Sequence, residues 1–286
     1  MRFAVLLLAG FLAAPILSAQ HAVPSDGQWL IEPGEHSGTV QLSVRYGERG
    51  YSSNWSRDVP LREFVGLSAA DMGGSGVTVH FKIVRSAGTL DCEGWFDSGR
   101  GSGHFTYQPN PDFVAELAKR GINAPAPTAW EQFQMTMAGV GLDLVDELAR
   151  QKYDRPTAAE LARMATHGVD LEYVRDIGAR GYHLRDAASL IRMRDHGVDG
   201  DYIADMKEMG YAPANPEELV EARDHGVDPS YIASLKEAGY ERLSLQELRR
   251  ARDHGVTRGF IQRVKARGYS NPSLDEVIRL RDRGLD

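Results

Sequence analysis

Along the first part of the chain, apolar residues recur at every second position. Val77, Val79, Phe81 and Ile83 alternate with Thr78, His80 and Lys82, the pattern of a strand with one buried face. Leu90, Cys92, Gly94 and Phe96 repeat it, Phe105 and Tyr107 follow a further Gly turn, and Val40, Leu42 and Val44 mark an earlier strand. Gly99, Gly101 and Gly103 punctuate the last hairpin. The pattern predicts a small antiparallel sheet of about five to seven strands from Gly27 to about Pro109, closing near Pro109-Asn110-Pro111.

Beyond that point the period changes, and a longer repeat takes over. His-Gly-Val recurs at His167, His196, His225 and His254, each 29 residues from the last, with Gly139 and Gly284 extending the series at its two ends. Gly-Tyr runs in parallel at Gly181, Gly210, Gly239 and Gly268, again every 29. Two glycine series held in phase predict two short helices per unit, each stopped by a left-handed glycine. The residue after the glycine should staple onto the last turn: Tyr182 on Ile177, Tyr211 on Met206, Tyr240 on Leu235, Tyr269 on Val264, Val198 on Met193 and Leu285 on Leu280.

Helix starts are equally regular. Thr128, Thr157, Asn215, Ser244 and Ser273 each precede a Glu by three residues, which predicts capping boxes; Asp186 holds the same place with Ser189 where Glu is expected. Asp170, Asp199, Asp228 and Thr257 take the N-cap of the other helix. Helices of about ten residues are too short to stand alone in water, so stacking on neighbours must bury their apolar stripes. Phe113-Val114-x-x-Leu117 opens the first of six units, counted from Pro111 to Asp286. Lys152 stands where the Gly-Tyr series needs glycine, and a strained or remodelled cap is expected there.

The expected fold class is therefore α+β. Residues 20–110 form a small antiparallel β domain, followed over 111–286 by an all-α solenoid of about six 29-residue helix-hairpin repeats. Residues 1–19, with Arg2, an apolar run and Ser18-Ala19, read as a signal peptide cut after Ala19, making the protein periplasmic or secreted. Left uncleaved, the segment would be its one membrane attachment. No cysteine follows the apolar run, which excludes a lipid-modified N-terminus.

A net charge of −7 argues against nucleic acid as partner. One cysteine, Cys92, allows no intramolecular disulfide and no thiolate metal cage. There is no Gly-x-Ser-x-Gly, no His-Glu-x-x-His and no phosphate-binding glycine loop. No catalytic, cofactor or metal residue is assigned, and the chain is read as a non-enzyme without cofactors. Equivalent histidines in adjacent units should stand roughly 10 Å apart, the spacing of packed helices, too far to share one ion. Capping or packing is their expected job, and core packing that of the tyrosines. An Arg-Asp pair precedes the histidine at Arg194-Asp195, Arg223-Asp224 and Arg252-Asp253, and recurs at Arg281-Asp282. An Asp near a helix C-terminus opposes the dipole, so a compensating Arg–Asp ladder between units is expected. Residues 241–286 hold eleven Arg or Lys against seven Asp or Glu, which makes Arg258, Arg263, Lys265 and Arg267 candidate binding residues for an acidic partner.

The stretch Ala87-Gly88-Thr89-Leu90-Asp91-Cys92-Glu93-Gly94-Trp95-Phe96, followed by Gly101-Ser102-Gly103-His104-Phe105-Thr106-Tyr107 and the repeats, resembles the extracytoplasmic regions attached to bacterial β-lactam-sensor-type membrane peptidases and their stand-alone exported relatives. The resemblance covers most of the chain beyond residue 19. It implies a bacterial envelope setting and a sensing or scaffolding role. The peptidase's membrane helices and zinc-binding helix have no counterpart here, so protease activity and functional residues do not carry over. The expected function is non-catalytic binding of a protein or envelope polymer along the array. The alternative is a sensor holding a small ligand between β domain and repeats, which calls for a polar pocket near Asp112 to Trp130.

Overall fold

The computed structural model describes residues 23–47 and 53–285; the expected signal segment lies outside the described residues. Alternation becomes a seven-stranded, wholly antiparallel sheet. Its strands are β1 (Asp26–Pro33), β2 (Thr39–Tyr46), β3 (Ser53–Pro60), β4 (Phe64–Val65), β5 (Ser75–Arg85), β6 (Gly88–Asp97) and β7 (Arg100–Pro109), in the spatial order β3-β2-β1-β7-β6-β5-β4. Strand β7 returns beside β1 and joins two meanders into one sheet. Odd and even positions separate cleanly: Val40, Leu42, Val44, Val79, Phe81, Ile83, Leu90, Cys92, Phe96, Phe105 and Tyr107 are all buried on one face. The period-two pattern did not signal the one-turn helix α1 (Ala69–Gly73), which is capped by Ser68 and Asp71.

Twelve helices follow among the described residues. They are α2 (Phe113–Lys119), α3 (Ala129–Ala138), α4 (Leu142–Arg150), α5 (Ala158–Thr166), α6 (Leu171–Ala179), α7 (Ala187–Asp195), α8 (Gly200–Glu208), α9 (Glu217–Asp224), α10 (Pro229–Glu237), α11 (Leu245–Asp253), α12 (Arg258–Ala266) and α13 (Leu274–Asp282). They pack in two rows, α3 on α5, α5 on α7, α7 on α9 and α9 on α11 in one, and α4 on α6, α6 on α8 and α10 on α12 in the other. One continuous apolar core runs from Phe113 to Ile278 and takes in Ala87, between β5 and β6.

The stops follow from local chemistry. Val198 N–H donates to Met193 C=O at 2.9 Å and Gly197 N–H to Arg194 C=O at 3.0 Å, with Gly197 at φ +68°, which is the Schellman arrangement. Tyr182, Tyr211, Tyr240 and Leu285 make the equivalent 6→1 bond to Ile177, Met206, Leu235 and Leu280. Thr128, Thr157 and Ser244 form reciprocal capping boxes with Glu131, Glu160 and Glu247. Ser273 makes half of one, accepting from Glu276 N–H. Asn215 departs from expectation. Pro216 takes the N-cap position of α9, and the Asn215 side chain accepts from Glu217 N–H at 3.1 Å instead. Proline's fixed φ suits a helix entrance, and no capping box forms at α9.

At Lys152 the chain keeps the cap and bears the strain. Lys152 sits at φ +65°, and Tyr153 N–H still reaches Leu148 C=O at 3.0 Å. A left-handed non-glycine residue costs about 1–2 kcal/mol, and glycine gives back part of that in unfolded-state entropy. Lys152→Gly should therefore stabilise the chain by about 0.5–1 kcal/mol. Chemical denaturation checks this, and an unchanged or lowered midpoint would contradict it.

Candidate functional site

The repeated Arg-Asp-His-Gly-Val segment is a joint between units: its Arg and Asp reach one unit back and its His one unit on. In Arg194-Asp195-His196-Gly197-Val198, the Arg194 guanidinium lies 5.2 Å from the centre of the Tyr173 ring and over Gly168. The Tyr173 hydroxyl donates to Val198 C=O at 2.9 Å. Tyr202 and Tyr231 are held the same way, by Arg223 with Val227 and by Arg252 with Val256. Burial pushes the phenols of Tyr202 and Tyr231 up to about 12, so they remain donors. In the last joint Phe260 replaces tyrosine; Arg281 still covers the ring at 5.1 Å. The second tyrosine row is also committed, Tyr182, Tyr211 and Tyr240 donating to the carbonyls of Pro213, Leu243 and Pro272 in the next unit.

The expected ladder of Arg on Asp is replaced by one of His on Asp. His167 Nδ1 lies 2.7 Å from Asp195 Oδ1, His196 2.5 Å from Asp224, His225 2.6 Å from Asp253 and His254 2.7 Å from Asp282. The preceding arginine is occupied by the aromatic ring and does not turn toward its neighbouring Asp. Both partners are partly solvated, and such pairs contribute about 0.2–1 kcal/mol. A double-mutant cycle of His196→Ala and Asp224→Asn should return a coupling in that range; a coupling well above it would mean that the ladder, and not the aromatic clasp, is the main bond between units.

Glu147, in α4, stands apart as a buried carboxylate, 4 % exposed. It accepts from Arg150, from Gln151 Nε2 at 2.6 Å and from Arg175 Nε at 3.4 Å. These donors, Arg150 foremost, lower it from 4.5 to about 2. A depressed folded-state value contributes stability above pH 4.5 that is lost as the pH falls through about 2. Glu147→Gln should therefore be less stable than the parent at neutral pH, and the two denaturation midpoints should converge toward pH 2. A constant gap across that window would contradict this.

Of the candidate residues on α12, Arg258 and Lys265 both reach the end of α10. Arg258 pairs with Glu237, Lys265 Nζ donates to Ala238 C=O at 2.7 Å, and Arg263 lies 5.8 Å from the Phe260 ring. Arg267 is the C-cap residue of α12. Three of the four are thus engaged within the array. Cys92 is buried, and desolvation raises its thiol, so it packs as an apolar residue.

Two concavities involve the sheet. The first, about 710 Å³, lies where sheet and helices meet. Arg85 donates to the carbonyls of Thr136 and Met137 at 2.7 and 2.5 Å and pairs with Glu63 at 2.7 Å. Arg57 donates to Ala138 C=O and to Asp170, both at 2.7 Å. The sheet thereby supplies the C-terminal cap of α3, satisfying carbonyls that the helix leaves unpaired. Arg175, Asp143 and Glu172 complete the wall, and Asp58 Oδ1 is a buried acceptor without a hydrogen-bond partner. The pocket is not lined by the stretch from Asp112 to Trp130. At that edge Gln132 donates to the carbonyls of Ala87 and Asn110, at 2.7 and 2.9 Å, and Trp130 packs on Tyr46 and Phe133. The second concavity, about 1000 Å³, is a groove on the outer face of the sheet. Sequence reasoning missed both, because each is assembled from strands or helices distant along the chain.

Among the described residues no group of three or more His, Cys, Asp or Glu is placed to hold a metal ion, and no helix is long and apolar enough to cross a membrane. Fold and sites together define a small antiparallel β domain carried on a long all-α region with repeat-like helix packing. Comparison of the chain with protein-family models, with curated proteins and with solved structures finds no match.

Proposed function

We propose that this is an exported, non-catalytic scaffold of the bacterial envelope, in which a solenoid of six helix pairs presents a long surface to a protein or an envelope polymer. The observation that carries this reading is how the repeated polar side chains are used. Arg, Asp, His and Tyr of the joints are bonded to the preceding or following unit, so the regularity serves stiffness along the axis. Solenoids built this way offer extended surfaces. The sheet adds a second contact, fixed by Arg57 and Arg85. Capture from envelope extract with the full chain as bait, followed by cross-link mapping, tests it. Cross-links spread along α4–α13 are expected; a partner held only through the sheet, or no macromolecule retained, would sink the array reading.

A second reading, an extracytoplasmic sensor, is favoured by the junction pocket, whose lining includes Arg57, Arg85 and Arg175 together with Asp143 and Glu172. A low-mass fraction of the extract that raises the melting temperature, with no macromolecule retained, would support it.

A further inference from the structure

The outer face of the sheet carries an aromatic platform that the array reading does not use. In a half-exposed antiparallel sheet the solvated face is ordinarily polar. Here Trp95 and Leu30 are 52 % and 43 % exposed, and they belong to one cross-strand row. Leu30 pairs with Ser102, Ser102 with Trp95, and Trp95 with Thr78. Two strand spacings place Leu30 and Trp95 about 10 Å apart. The neighbouring row on the same face is Arg45, Gln28, His104 and Glu93, each paired with the next. Both rows line the groove of about 1000 Å³, at the upper end of the roughly 300–1,000 Å³ typical of ligand sites.

The chemistry of this lining selects a ligand class. An exposed indole presents a negative π-face to weakly positive C–H groups, while the amide of Gln28, the carboxylate of Glu93, the imidazole of His104 and the hydroxyls of Ser102 and Thr78 offer donors and acceptors for hydroxyl groups. Arg45 and Glu93 carry opposite charges across the row, so the groove holds no excess of either sign to attract an acidic or a basic polymer. An apolar ring face with polar edges and no net charge describes a sugar ring, and the groove's volume exceeds what one ring fills.

We propose that this groove binds a neutral glycan strand, with Trp95 as the stacking platform and Gln28, Glu93 and His104 as partners for its hydroxyls. The proposal gives the β domain a ligand of its own and does not depend on the array having a partner.

The test is calorimetric titration of the full chain with cellotetraose and with tetra-N-acetylchitotetraose. Saturable binding of at least one is expected, weakened about tenfold by Trp95→Ala, weakened less by Trp95→Phe, and unchanged by Val65→Ala, a comparably exposed apolar residue away from the groove. Leu30→Ser should also weaken binding, and unchanged melting temperatures show that the variants are folded. The proposal is overturned by absence of saturable binding up to about 10 mM of either sugar, by equal affinity of Trp95→Ala, or by binding of polyglutamate or polylysine in their place. Self-association that disappears in Trp95→Ala would assign the groove to a second copy and overturn it equally.

Discussion

Replacing Phe133 by alanine should cost about 3–5 kcal/mol, the range for deleting a fully buried aromatic ring. Phe133 is on α3, the first helix of its row, yet its ring belongs to the sheet's core. It meets Tyr46 and Tyr107 edge-on, each at 5.0 Å, and Trp130 at 5.7 Å. Met137, one turn on, joins the same core, while Met135 and Ala138 of the same helix face the array. Helix α3 is therefore shared between the two cores, and a cavity at Phe133 weakens the sheet and its attachment together. Urea denaturation followed by tryptophan fluorescence and by helical circular dichroism should show the midpoint falling and the two signals separating. A loss under about 1 kcal/mol, with coincident signals, would mean that α3 is not the joint.

Gly103→Ala should be nearly as damaging, at about 3 kcal/mol. Gly103 and Gly94 face each other across β7 and β6, and Trp29 pairs with Gly103 from β1. The Trp29 indole N–H lies 3.1 Å from both Glu93 C=O and His104 C=O, an approach that leaves no room for side chains beneath it. A methyl group at Gly103 would stand 2.0 Å from Glu93 C=O and 2.7 Å from the Gly94 Cα. These are backbone atoms in paired strands, so relief requires the strands to part. Ser102→Ala, one residue away on the solvated face, should change stability by less than about 0.5 kcal/mol. If the two substitutions were equally mild, close packing at the glycine pair would not be what holds the sheet here.

Legibility in the sequence followed the range of the interaction. The caps at Gly181 and Gly197 depend on residues within one turn, so a glycine and an apolar staple were enough to place them. Strand faces were readable for the same reason, since alternation along one strand decides which side is buried. Asn215 was misplaced through another local effect, the preference of Pro216 for the helix entrance. The partner of Asp224 was a different matter. Dipole arguments showed that it needed a cation, but arginine and histidine were both at hand, and only the stacking of one unit on the next brings His196 to it while laying Arg223 on Tyr202.

The Arg57 and Arg85 clasp on the end of α3 and the row from Leu30 to Trp95 belong to that second kind. The members of each are separated by tens of residues and carry no shared period, so no window along the chain contains them. By itself the sequence determined the element types, their caps, the 29-residue period and the commitment of the tyrosines to packing, because these rest on backbone geometry and burial within a few residues. Tertiary structure alone decided which side chains meet between units, how the sheet is joined to the array and where concave surface remains. Those outcomes depend on strand order and on the angle at which whole elements pack, quantities that no single segment specifies.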